Sequence, residues 1–463
     1  MKILLIIYDN NSYIHYFPLG IAYISSVLRN NKYDFNLYFQ DVNHFNERHL
    51  SEYIKTIHFD VIAIGFIAGY FQFDKLLRIS QVINRTQKRP QYYILGGHGP
   101  SPEPEYFLKK MEADIIVHGE GEITFIELLN TISDKGDFSK VKGISYKQED
   151  KVLTTPKREV IKDIDSIPWP AYDLFPIEYY RLMRLPHTSN RDFSMPVLSS
   201  RGCPFHCTFC YRMDTSYRMR NSEDIVDEVQ YLQKNYGITY IDFTDELLMS
   251  SKERVYDICE TIIRKGISFK WFCNGRLNYA SSDVLDLMKK AGCVFINYGI
   301  EALDDKVLLN MNKALTTNQI IKGIESTLKS GISPGFNILF GNIGDNKETL
   351  EKAVQFLIKY DDGAQLRTIR PVTPYPGSKL FSYAIEKGLL KNCEDFYENK
   401  HINSDLLTVN FTDMNDDDFY KSLLEANNAL LENYYSKKLN SEKKITKDLY
   451  LNKNKEFRGF RHT

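Results

Sequence analysis

Over the first 130 or so residues, short and nearly continuous apolar runs alternate with amphipathic stretches. KILLIIY is followed by GIAYISSVLRN, FNLYF by LSEYIKTI, VIAIGF by FDKLLRISQVIN, YYILGG by PEYFLKKM, and DIIVHG by EITFIELLNTI. Runs of the first kind read as strands buried on both faces, and the stretches between them as helices that cover those faces. From Met1 to about Ser133 the pattern predicts an α/β, Rossmann-like, doubly wound parallel sheet built from strand-helix units. Ligands of such sheets sit beyond the carboxyl ends of the strands. The segments at those ends, Tyr8 to Pro18, Gly65 to Tyr70, GGHGPS at Gly96 to Ser101 and HGEGE at His118 to Glu122, are rich in glycine and other special residues.

A second alternation starts near Pro196: PVLSS, ITYIDFT, FKWFCNG, VFINYGI, SPGFNILFG and AQLRTIR, separated by helical patterns such as NSEDIVDEVQYLQKNYG. In that first helix Ser222 is placed to cap, Glu223 and Asp224 suit the positive end, Gly237 closes it, and Ile225, Val226, Val229 and Leu232 share a face. A closed eight-unit barrel needs about 250 residues and this series has only about 180, which predicts a partial (β/α)6 barrel with its active site at the carboxyl ends of the strands. The expected domains are 1–135, a bridge at 136–195, the barrel at 196–376 and a helical region at 377–463. The bridge carries the strand-like VKGISYK and the proline-rich IDSIPWPAYDLFP, where Trp169 is either a connector residue or a stacking platform. KLFSYAIEKGLL and DDDFYKSLLEANNALLENYYSKKL are helical segments that could close the open side of the barrel, and the last twenty or so residues read as poorly ordered.

The 463 residues, 43% hydrophobic and 26% charged with a net charge of -1, are those of an ordinary folded protein. That balance gives no reason to expect nucleic acid as a partner, and the basic stretch from Lys437 to Arg461 reads as a solvated tail. The opening apolar run is a buried strand rather than a signal peptide, and no stretch is long and apolar enough for a spanning helix, so a cytoplasmic location is expected. Seven cysteines, with three crowded into SSRGCPFHCTFCYRM, point to metal or redox chemistry instead of disulfides.

Cys203, Cys207 and Cys210 form a C-x3-C-x2-C loop directly after the first barrel strand. Three thiolates can hold three irons of a 4Fe-4S cluster and leave the fourth iron open to substrate. A structural zinc site or a closed cluster needs a fourth ligand. Cys259, Cys273, Cys293 and Cys393 lie elsewhere in the pattern, and His206 is squeezed between two of the ligands.

With these residues the chain, over about positions 1 to 390, resembles the radical S-adenosylmethionine superfamily, in its branch with an N-terminal cobalamin-binding domain. The resemblance implies an open iron that chelates S-adenosylmethionine and a 5′-deoxyadenosyl radical that abstracts hydrogen from a small-molecule substrate. It also implies an external one-electron donor such as flavodoxin or ferredoxin. Position by position it implies that Phe209 and Tyr211 lie near the adenine, that Thr244, Asp245 and Glu246 meet the methionine amino group, and that Arg276 pairs with its carboxylate. Glu301 would lie near the ribose, although Ala302 stands where serine is frequent. In FNILFGNIGDNKET Gly341 and Gly344 match and Ile343 replaces the usual proline; Thr373 opens the last-strand segment TPYPGS. As structural alternatives, Asp245 and Glu246 could cap a helix, and Arg276 or Glu301 could form salt bridges.

FPLGIAYISSVLRNN, DVIAIGF, ILGGHGPSPEPEYF and DIIVHGEGEITFIELL are similar to that branch's cobalamin-binding domain. The resemblance implies a corrin contacted by Gly65, Gly69, Gly96, Gly97, His98, Gly99, His118, Gly119, Glu120 and Gly121, where missing side chains let a flat ligand approach the backbone. No D-x-H-x-x-G supplies an axial histidine; His15, His98 and His118 are the histidines near strand ends. No G-x-G-x-x-G follows the first strand, which excludes the usual dinucleotide fingerprint. The expected activity is cobalamin-dependent methylation of an unactivated carbon, or of phosphorus. A non-methylating cyclisation, ring contraction or carbon-carbon bond formation is the alternative, as is a domain that keeps the fold without the corrinoid. A non-catalytic electron carrier or sensor is the reading from another class.

Overall fold

The computed structural model describes residues 1–213 and 216–456. The strands are β1 (Lys2–Ile7), β2 (Asp34–Phe39), β3 (Val61–Gly65), β4 (Tyr92–Gly96), β5 (Ile115–Val117), β6 (Ile144–Gln148), β7 (Lys151–Thr154), β8 (Ser194–Val197), β9 (Ser200–Arg201), β10 (Arg218–Met219), β11 (Tyr240–Phe243), β12 (Lys270–Gly275), β13 (Cys293–Glu301), β14 (Ser333–Phe340) and β15 (Arg370–Pro371). The helices of the first half are α1 (Leu19–Asn30), α2 (Gln40–Asn43), α3 (Glu47–Thr56), α4 (Tyr70–Arg85), α5 (Pro104–Lys110), α6 (Gly121–Ser133) and α7 (Ile177–Tyr180). Those of the second half are α8 (Ser222–Tyr236), α9 (Lys252–Arg264), α10 (Ser282–Lys290), α11 (Asp305–Asn310), α12 (Thr317–Lys329), α13 (Lys347–Tyr360), α14 (Lys379–Glu386), α15 (Cys393–Asp395) and α16 (Asp416–Leu451).

In the first sheet, ordered β2-β1-β3-β4-β5-β6-β7, the first five strands are parallel. Residue parity sorts each strand into two layers. Leu4, Ile6, Ile62, Ile64 and Leu95 pack under α3, α4 and α5, whereas Ile3, Leu5, Val61, Ala63 and Ile94 pack under α1 and α6. Each fully buried Ile or Leu contributes on the order of 1.5–3 kcal/mol, and a one-residue slip would exchange the layers. VKGISYK is not part of a separate bridge. As β6 it pairs antiparallel with β5 and is followed by β7, so the first sheet runs to Thr154 rather than ending near residue 135.

The second sheet, ordered β15-β14-β13-β12-β11-β8, is parallel throughout and open between its edge strands. Ile241, Phe243, Trp271, Cys273, Ile296 and Tyr298 face the helical layer. By the period of two, Asp242, Asn274, Asn297 and Asn337 face the lumen. The α8 cap is Asn221, whose side chain accepts from Glu223 N; Ser222, expected as the cap, is the first helical residue and donates to Asp257. Gly237 ends the helix at φ 65° as expected.

The C-terminal region ties the two sheets together. Phe381, Ala384, Phe396 and Tyr397 join the α3-α5 layer of the first sheet, with Tyr397 stacked on Phe73 at 4.6 Å. Phe419 of α16 stacks on Phe340 at the end of β14, at 4.7 Å. α16 continues to Leu451, into the stretch expected to be loose; residues 457–463 of that stretch lie outside the described residues. Trp169 of the bridge is a connector, its indole N–H shared between both Asp224 oxygens at 3.1 Å. Among the described residues, no helix is long and apolar enough to cross a membrane.

Candidate active site

Cys203, Cys207 and Cys210 stand on the loop that leaves β9 at the mouth of the barrel, half-buried to exposed. The backbone fixes this loop from three sides. Thr208 N donates to Met311 O and Leu380 N to Thr208 O, both at 2.9 Å. Asn312 Nδ2 donates to His206 O at 2.9 Å, and Arg212 Nη1 to Cys203 O at 3.0 Å. Arg212 also holds His206 Nδ1 at 2.7 Å, which fixes that ring beside the loop. Cys259, Cys273 and Cys293 are sealed in the core of the barrel and Cys393 in that of the first domain. Among the described residues, the three thiols are absent from the groups of donors whose atoms all lie within 4.8 Å of one another. They are spread more widely than a single metal ion requires, and the donor set fits a three-thiolate cluster with one iron left open.

Thr244 and Glu246 are exposed at the end of β11, whereas Asp245 between them turns inward. Its carboxylate, 1% exposed, accepts from Ser199 N at 2.6 Å, Ser200 N at 3.0 Å and the Ser199 hydroxyl. Asp245 therefore anchors the strand that leads into the cysteines and is not presented to a methionine amino group. Arg276 departs from expectation in a similar way. Its guanidinium lies 3.4 Å over the Phe205 ring and donates to the carbonyls of Lys313 and Ala314, the latter at 3.0 Å. These contacts commit Arg276 to clamping the cysteine loop against residues 313–314.

Glu301 is buried at φ 67°, beyond a register shift in β13, and pairs with Lys313 Nζ at 2.9 Å. Lys313 Nζ also sits 5.9 Å from the Phe209 ring. Gly341, at φ 93°, lets its turn lie against Phe419, and its N–H donates to Asp345 at 3.1 Å. Thr373 is half-buried beyond β15. Across the lumen, Asn337 donates to Asn297 at 3.1 Å, Asn297 to Asn274 at 3.0 Å, and Asn274 to Asp245 O at 2.8 Å. Burial and Asp245 push the Asp242 carboxyl up to about 7.

Facing the cysteine loop are the strand ends of the first sheet. Gly97, at φ 97°, would bring a Cβ to 2.5 Å from Phe66 O, and Gly99 would bring one to 2.1 Å from the Phe66 ring. These two glycines serve the packing of the β3 and β4 loops on each other. A Cβ on Gly65 or Gly96 would make only ordinary contacts, and one on Gly119 would meet nothing within 4 Å, so these three leave backbone open. A Cβ on Gly69 would meet only the flexible Gln72 side chain, and one on Gly121 would press on Ile24 at 3.0 Å. Ile67 and Phe71, 65% and 60% exposed, present apolar surface at the β3 end. Open backbone beside exposed apolar side chains fits a large flat ligand such as a corrin.

The three histidines differ in their partners. His15 lies against Asp9, and His118 Nε2 is bonded to Ser145 Oγ at 2.8 Å. His98, kept neutral by burial, has no side-chain hydrogen bond among the described residues and meets Tyr211 edge-on at 6.3 Å. Glu120, expected at the corrin, is instead held by Arg201 at 2.7 Å, Arg218 at 2.9 Å and Ile161 N at 2.7 Å. Arg201, Arg212, Arg218 and Lys313 carry no motif and were invisible to sequence reasoning.

The comparisons agree with this geometry. Residues 7–129 match the B12 binding domain family and residues 197–357 the Radical SAM superfamily. A protein of Pyrococcus horikoshii named as an uncharacterized methyltransferase is 31% identical over 402 residues, 84% of each chain. The anaerobic magnesium-protoporphyrin IX monomethyl ester cyclase of Rubrivivax gelatinosus is 28% identical over 79% of this chain and 65% of its own. Among solved structures, the radical S-adenosylmethionine methyltransferase TsrM of Kitasatospora setae superposes with a TM-score of 0.68 at 17% identity, covering 83% of this chain and 75% of its own, and shows the same fold. With both domains matched in order and the Pyrococcus relative similar along most of its length, the chain belongs to the radical S-adenosylmethionine superfamily, in the branch that carries an N-terminal B12-binding domain.

Proposed function

We propose that this enzyme is a cobalamin-dependent radical methyltransferase acting on an unactivated carbon, or on phosphorus, of a small molecule. The observation that carries the reading is the apposition of two faces. Tyr211, next to the last cysteine, meets His98 on the glycine-rich loop of the first domain, so a substrate in the cleft is within reach of both. When bound, the cluster supplies the electron that splits S-adenosylmethionine to a 5′-deoxyadenosyl radical, and cobalamin supplies a methyl carrier.

The chain's own residues bind and orient. Thr244 and Glu246 are offered to the methionine amino group, Phe209 and Tyr211 to the adenine, and Thr373 with the Gly341 turn to the far side of the nucleoside. The Lys313 ammonium, 2.9 Å from Glu301, fixes that carboxylate in place for the ribose hydroxyls. Arg276 and Asp245 act one layer back, holding the cysteine loop where these contacts meet. Electrons would come from a flavodoxin or ferredoxin.

Anaerobic reconstitution with iron, sulfide and cobalamin, followed by dithionite and S-adenosylmethionine, tests the reading. The expected products are 5′-deoxyadenosine and, with the true substrate, S-adenosylhomocysteine from recharging of the carrier. A protein with an intact cluster that never retains a corrinoid would sink methyl transfer. Radical turnover without S-adenosylhomocysteine would favour the cyclase-like alternative, to which the Rubrivivax relative lends support.

A further inference from the structure

Away from the cysteine loop, Asp9, His15 and His44 converge where the segment after β1 meets the end of α2. Asp9 and His15 are 5% and 4% exposed. His44, in the left-handed region at φ 50°, closes α2 from the solvent side. One ligand atom from each residue lies within 4.8 Å of the other two, a convergence no other trio of His, Cys, Asp or Glu among the described residues makes. His44 Nδ1 is hydrogen-bonded to Asp9 Oδ2 at 2.9 Å.

The other contact differs. His15 Nε2 lies 3.0 Å from the other carboxylate oxygen, Asp9 Oδ1. Metal bonds of about 2.0–2.1 Å at tetrahedral angles put neighbouring ligand atoms roughly 3.3 Å apart, close to the spacing seen here.

Two further oxygens are buried without a partner: Oδ1 of Asn10, next in the chain, and Oδ1 of Asp41, whose carboxyl is close enough to Asp9 to feel its charge. Buried unpartnered acceptors are costly. Hydrogen bonds hold the surrounding frame. Tyr179 Oη accepts from His15 N at 3.2 Å, Tyr180 Oη donates to Asp41 at 2.7 Å, and Asn11 N donates to Asp9 Oδ1 at 2.6 Å.

We infer that Asp9, His15 and His44 form a site for a divalent transition metal of the zinc class, separate from the three cysteines, which ties the segment of residues 8–18 to the β2-α2 corner. Two imidazoles and one carboxylate suit zinc better than magnesium or calcium, which take oxygen ligands. The tethered segment carries Tyr13 and Tyr16, 92% and 59% exposed. Tyr16 lies within electrostatic reach of the lumen carboxylate Asp242, so the metal would set the wall of the cleft between the two domains.

The test uses the full-length enzyme with its cluster reconstituted, so that the cysteines are occupied, washed with chelator and titrated with zinc chloride by calorimetry. Zinc and iron are counted afterwards by elemental analysis. One zinc per chain is expected, with His44→Ala and Asp9→Asn weakening uptake at least ~10-fold and leaving iron content unchanged. His44 is the solvent-side ligand, so its removal does not open the core. Wild-type enzyme that takes up no zinc, or equal uptake by wild type and His44→Ala, would overturn the site. Neither outcome reads radical formation, so the site and the methyltransferase reading fail independently.

Discussion

Arg201, two residues before Cys203, donates to Glu120 of the first domain at 2.7 Å and to Glu122 at 2.6 Å. Arg218, paired with Arg201 across the short antiparallel β9-β10 ladder, reaches the same Glu120 at 2.9 Å. One carboxylate at a strand end of the first sheet thus holds both strands at the root of the cysteine loop. Removing one partner of a largely buried pair leaves an uncompensated charge. Glu120→Gln should cost roughly 3–5 kcal/mol at the upper end, read by urea unfolding, and should raise hydrogen exchange across residues 197–213. Unchanged exchange there would show that the network does not hold the loop.

Gly99→Ala places a methyl 2.1 Å from the fully buried Phe66 ring. Overpacking of this sort costs typically ~1–3 kcal/mol, so thermal denaturation should come several degrees earlier. Gly65→Ala meets only Ile21 at an ordinary 3.4 Å. It should leave stability nearly unchanged and weaken corrinoid retention, measured by the visible spectrum after gel filtration.

Cys203→Ala should lose most cluster iron, whereas Cys293→Ala, a core change, should keep it. Iron and sulfide counts after reconstitution check both. Loss of iron in Cys293→Ala with native circular dichroism would revive a fourth thiolate ligand.

Asp242 titrates near 7 in the folded chain because burial and Asp245 disfavour its charge. An unfolded aspartate titrates near 3.9, so between these values the folded state binds more protons and stability falls as pH rises. Asp242→Asn should therefore be more stable than wild type by on the order of 1–4 kcal/mol at pH 8 and by little at pH 4. A difference that does not change with pH would contradict the assignment.

His401 gives the opposite slope. It is fully buried against Phe396 at 4.9 Å, and burial lowers it to about 4. Below the ordinary histidine range the unfolded chain binds the extra proton, so stability drops as pH falls from about 6.5 towards 4. His401→Phe should flatten that limb in denaturation curves collected across this range.

Both α/β units, most of their parallel strands and the three cysteines were legible in the amino-acid order, because parity and helical spacing are local properties and cysteine spacing sets what a loop can ligate. The unit of VKGISYK was not legible. A lone amphipathic strand does not say which of several sheet edges it joins, and it pairs with β5. The roles of Asp245 and Arg276 were equally hidden: the residue types suit a ligand, but one turns into Ser199 and Ser200 and the other onto Phe205. Sequence by itself determined the fold class, the three-cysteine loop proposed to hold the cluster, and the B12-binding domain opposite it. Tertiary structure alone decided which charged groups are tied into the protein and hold the two domains together, because that depends on charges such as Glu120 and Arg201, which lie far apart in sequence and meet only when the sheets dock.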